Sequence, residues 1–87
     1  MSKLNLSSVV NTTSSHNIVT VSIQATGVEV EVKTAVMRTH HSVHWDDMTD
    51  VEYLSLLFAD ERVAVFRAIV ELLGKVYASK DIYRALV

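Results

Sequence analysis

Eighty-seven residues with 49% hydrophobic and 21% charged side chains make one domain's worth of chain, and at this size folding buries only about 60–65% of the surface the unfolded chain exposes. Zero cysteine excludes disulfides, thiolate zinc sites and thiol catalysis, so a metal or a partner subunit are the remaining supplements to a small core. A formal net charge of -2 argues against a general nucleic-acid binder, whose domain is typically basic.

Residues 1–16 are dominated by Ser, Thr and Asn, with Leu4, Leu6, Val9 and Val10 as apolar anchors. Such residues compete for the backbone and favour turns, which predicts a flexible arm or a short edge strand ahead of a single domain over residues 17–87. From Asn17 the period becomes two. Val19, Val21, Ile23 and Ala25 alternate with Thr20, Ser22 and Gln24, and after Gly27 the row Val28, Val30, Val32 alternates with Glu29, Glu31, Lys33. This pattern predicts a β-hairpin, with Gly27 supplying a positive φ at the reversal. Met37, Thr39, His41, Val43 and Trp45 form the next row, one residue out of phase, and suggest a third strand over 37–45 after a turn near 34–36. A helix over 36–44 is the competing reading.

The second half follows a 3.6-residue period. Thr49 and Glu52 form a capping box ahead of Val51, Leu54, Leu57 and Phe58, predicting a helix over 50–59, and Asp60 offers an N-cap for a helix over 61–78. The two could equally be one bent helix, and Ser79 can start a last short one through Leu86. The expected fold is therefore α+β, a small antiparallel meander of two or three strands packed on two or three C-terminal helices. In the 61–78 helix apolar residues surround nearly the whole cylinder, with Arg67, Glu71 and Lys75 as a single polar line. A small sheet covers only one side of a helix, so either a neighbouring helix or a second subunit covers the other. On the second alternative the chain is a homodimer that self-associates through Val65, Ile69, Leu72 and Val76.

His40, His41 and His44, followed by Asp46 and Asp47, first suggest metal or acid–base chemistry. On a strand His40 and His44 share a face but lie about 13 Å apart and His41 faces the other way, so no metal and no other cofactor is expected. No glycine-rich loop or nucleophile elbow accompanies them, and the chain does not read as an enzyme. The segment Asp46 to Glu61 is more unusual. It holds six acids (Asp46, Asp47, Asp50, Glu52, Asp60, Glu61) and no Lys or Arg. Some of these suit helix N-termini, yet the cluster would also steer the protein onto a basic surface of a larger partner, with Trp45 at its edge either capping the core, the commoner role of a lone tryptophan, or serving as an apolar anchor. The alternative is a nucleic-acid-binding module, with Arg38, His40 and Trp45 on a strand face stacking bases and Lys3, Lys33, Lys75, Lys80 and Arg84 on phosphates.

Leu54 to Leu73 is the most apolar stretch, but its five charges are incompatible with a bilayer-spanning helix, and a cytoplasmic protein is expected. The plan of a β-meander, a C-terminal helix and an acidic patch is similar to that of small bacteriophage accessory proteins that inhibit host enzymes or defence systems. The resemblance is one of size and style and assigns no residue a role. It implies an inhibitor or adaptor that acts by protein binding, in the host cytoplasm if the protein is viral.

Overall fold

A computed structural model describes residues 4–11 and 16–87 and shows an α+β fold, an antiparallel four-stranded sheet followed by three helices. Strands β1 (Leu4–Asn11), β2 (His16–Ile23), β3 (Gly27–Lys33) and β4 (Arg38–His44) lie side by side in chain order. The sheet has four strands where two or three were predicted. The polar arm supplies the first, pairing with β2 from Leu4 opposite Ile23 to Asn11 opposite His16. The rest of that arm, residues 1–3 and 12–15, lies outside the described residues. Residues 38–44 are strand, which decides against a helix there, and Trp45 leaves the strand to begin a short 3₁₀ turn, Trp45–Asp47.

Register carries one apolar row across the sheet. Leu6 stands opposite Val21, Val21 opposite Val30, and Val30 opposite His41. In the two central strands this row is sealed: Val19, Val21, Ile23, Val28, Val30 and Val32 are all buried. The phase change between β3 and β4 is absorbed by a turn in which Thr34 N–H donates to Met37 O at 2.8 Å, while the Thr34 hydroxyl accepts from Met37 N–H at 3.1 Å.

Gly27 does not have the positive φ expected of it; no described residue does. The reversal is tied down from elsewhere. Trp45 donates its indole N–H to Ala25 O at 2.9 Å and its backbone N–H to Thr26 O at 3.3 Å. Glycine is needed at position 27 for close approach instead: a Cβ there would run into Val43 O and lie 2.9 Å from His44 Cα, on the neighbouring strand.

Residues 50–78 form two helices, α1 (Val51–Leu57) and α2 (Val63–Ala78), separated by tight turns from Phe58 to Arg62. The cap of α1 is Asp50, whose side chain accepts from Tyr53 N–H at 3.1 Å, rather than Thr49; aspartate is the better N-cap of the two. Asp60 does not cap α2. Arg62 occupies that position and makes no side-chain cap bond. A last helix, α3 (Lys80–Leu86), follows Ser79 as expected.

Helix α2 lies across β1 and β2. Val65, Ile69, Leu72 and Val76 are the residues it turns towards the sheet, and all four are buried within the monomer. They therefore offer no free surface for self-association. A helix that is apolar nearly all round does not reveal which arc meets the sheet, and this arc is the one that does. After Val63, 73% exposed in its first turn, the solvent side of α2 carries Ala64, Arg67, Glu71, Gly74, Lys75 and Ala78, small or charged residues that need no cover. Among the described residues no helix is long and apolar enough to cross a membrane.

Candidate functional site

The acidic segment becomes a surface built around α1. Asp46, Asp47, Asp50 and Glu52 cluster at its N-terminal end, and Asp60 and Glu61 follow its C-terminal end. A seven-residue helix is about 10 Å long, so the acids fall into two groups with the exposed side of α1 between them. Asp46 is almost fully solvated, its side chain 89% exposed, and Asp50, Glu52 and Asp60 are also exposed, while Asp47 and Glu61 are half-buried.

The exposed side of α1 between these groups carries Leu56, Val51 and Tyr53 beside Glu52 and Ser55. Leu54 is the one buried residue within the helix; Leu56 points away from it and is 76% exposed, with Val51 at 55% and Tyr53 at 38%. Leu56 and Tyr53 line a shallow cleft of about 230 Å³ with Asp50 and Glu52. Beyond the far end of α1, Phe58, Ala59, Val63 and Phe66 line a second cleft, about 190 Å³, whose wall includes Glu61. Val51 belongs to the predicted apolar stripe of this helix but faces solvent, and Leu56 lay outside that stripe. Its signal is present in the sequence, since two residues from Leu54 at 100° per residue place it on the opposite side.

Glu61 differs from the other acids. Its Oε2 is enclosed with no hydrogen-bond partner among the described residues, and its carboxyl is pushed above the ordinary value of 4.5 by loss of water, an effect partly offset by His41 and reinforced by Asp60. His41 faces inward from β4 and packs edge-on against Phe58, ring centroids 5.0 Å apart.

Trp45 does not join this surface. It is 5% exposed and its indole N–H is taken by Ala25 O, so it belongs to the core and cannot serve as the anchor expected at the edge of the acids. For the same reason the base-stacking face of Arg38, His40 and Trp45 is not assembled. Arg38 and His40 do share the helix-free face, but there they meet carboxylates: His40 Nδ1 is 2.9 Å from Glu29 and its Nε2 3.6 Å from Glu31, which also lies 3.6 Å from Arg38. Of the proposed phosphate contacts, Lys3 lies outside the described residues, and Lys80 sits over the ring of Tyr77 at 4.4 Å.

The histidines do not converge. His40 and His44 project from one face and His41 from the other, and His44 Nδ1 accepts from Asp46 N–H at 3.2 Å, capping the 3₁₀ turn. Among the described residues no group of three or more His, Asp or Glu side chains is placed to hold a metal ion. Comparison with known proteins finds no matching family model, no similar curated protein and no similar solved structure.

Proposed function

We propose that the protein is a small non-enzymatic binding module, an inhibitor or adaptor inside the cell, which engages a basic surface of a larger protein through the outer side of α1. The observation that carries this reading is Leu56, 76% exposed between two groups of acids. An apolar centre within a charged rim is the anatomy of a protein interface: the centre supplies affinity once desolvated, and the rim steers approach and rejects partners of the wrong sign. Acids used only as helix caps would not require exposed Leu56, Val51 and Tyr53 among them. The small-polypeptide plan shared with phage accessory proteins supports the same direction.

The test starts from a partner isolated by affinity capture and purified. Asp46→Lys with Asp47→Lys, both ahead of α1, is expected to leave the thermal melt nearly unchanged and to slow association at low salt by about tenfold, because rim charges act on the on-rate. Leu56→Ser is expected to speed dissociation instead. Rates indistinguishable from wild type for both variants would remove the proposal.

A further inference from the structure

The inner apolar row of the sheet is sealed over β2 and β3 and left unfinished at β1. Val19, Val21 and Ile23 are at most 5% exposed, whereas their partners on β1, Ser8, Leu6 and Leu4, are only partly buried although α2 lies above, and so is Val10 opposite the buried Asn17. Val9, on the other face, is 56% exposed. Residues 4–11 contain no charge and no proline, and the register with β2 runs without a bulge. Charges, prolines and bulges are the devices by which proteins stop a sheet edge from accepting another strand. Among the described residues β1 pairs on one side only.

From this edge we infer that β1 pairs antiparallel with β1 of a second copy, joining two sheets into one of eight strands. The occupant follows from the strand itself. The inner rows of the two copies stay on the same side of the joined sheet only if paired residue numbers sum to an even value. A sum of 14 uses all of residues 4–10: Leu4 meets Val10, Leu6 meets Ser8, Asn5 meets Val9, and Ser7 meets its own copy on the two-fold axis. Every inner apolar residue of β1 then gains a cross-strand neighbour, and the contact is isologous and closed, so it stops at a dimer.

Helix α2 accommodates this arrangement. It sits over the β1–β2 boundary, so with strands about 4.8 Å apart its axis and that of its copy would be about 10 Å apart, within the usual range for packed helices. Phe66 marks the flank of α2 that faces the end of α1. At 100° per residue the opposite flank, towards the β1 edge, carries Ala64, Ala68 and Lys75, with Glu71 beside them, so the two copies would meet through small residues flanked by charges of both signs.

Sedimentation velocity over a concentration series is expected to show monomer converting to dimer. Ser7 is exposed on the helix-free face and shares only a hydroxyl contact of 3.2 Å with Thr20, so Ser7→Lys should keep the monomer's circular dichroism and melt while bringing two lysines together on the axis and weakening the dimer about tenfold. The chain has no cysteine, so Ser7→Cys should give a cross-linked dimer under mild oxidation, while Ser42→Cys on the outer face of β4 should stay largely monomeric. A wild type that remains monomeric to hundreds of micromolar, or a dimer that Ser7→Lys does not weaken and Ser7→Cys does not cross-link, would overturn the inference.

Discussion

The two ends of the sheet are closed by opposite means. At the β4 end the chain uses polar and aromatic groups with specific partners. Trp45 holds the β2–β3 turn through two hydrogen bonds, Phe58 packs edge-on against His41, and the outer face is crossed by the Glu29, Glu31, Arg38 and His40 contacts. The β1 end has no aromatic or charged contact of this kind: Asn17 donates its side-chain amide to Val10 O at 3.4 Å and Ser7 meets the Thr20 hydroxyl, and otherwise there is an uncharged strand with a half-covered apolar row beneath one helix. A charged or histidine-rich edge is finished by itself, because its side chains keep water and oppose a further strand. An uncharged edge with leucines at its rim is finished by something else.

That contrast can be broken most directly by truncation at both ends. Trp45→Ala removes a buried ring and strands the Ala25 carbonyl that it satisfies, with an expected loss of about 3–5 kcal/mol in denaturant unfolding. Leu6→Ala, at a half-covered site, should cost about 1–2 kcal/mol when measured dilute. Its cost should grow with protein concentration, because the wild type then gains from association. Equal and concentration-independent losses would erase the distinction between the ends.

The two glycines sharpen it further, since alanine should have opposite signs at them. Gly27→Ala forces a methyl against the β4 backbone at Val43 and His44, with an expected cost of about 1–3 kcal/mol. Gly74 faces open space in the middle of α2, and Gly74→Ala should stabilise by about 0.5–1 kcal/mol.

Much of this was legible locally. Strict alternation of Val28, Val30 and Val32 with Glu29, Glu31 and Lys33 leaves little room for any reading but a strand, and the long apolar run after Arg62 reads as a helix. β1 was only half legible, as an arm or a short edge strand, because both of its faces mix polar and apolar residues, Ser8 inward and Val9 outward, so no face stands out. Gly27 misled because its requirement comes from Val43 and His44 on a different strand. The acids were visible as a run, but their division by α1 and the position of Leu56 between them depend on which side Leu54 buries. Trp45 was open between core cap and contact anchor because nothing within its own segment shows the turn carbonyls that hold it in the core.

The smallest effect expected concerns Glu61, near the β4 end. Its raised carboxyl means that folding favours the protonated form. The associated stability is therefore complete below pH about 4.5 and declines as pH rises through the raised folded value. Glu61→Gln should match wild type in acid and melt about a degree or two higher at neutral pH, the modest size reflecting solvent screening. The reverse order at neutral pH would show that the enclosed oxygen has a partner.

Amide hydrogen exchange, read for β1 and β4 in the same samples at low and high protein concentration, tests the difference between the edges most directly. The account predicts that protection over residues 4–11 rises with concentration while residues 38–44 stay unchanged. Protection that rises over 38–44 instead, or over neither strand, would contradict it.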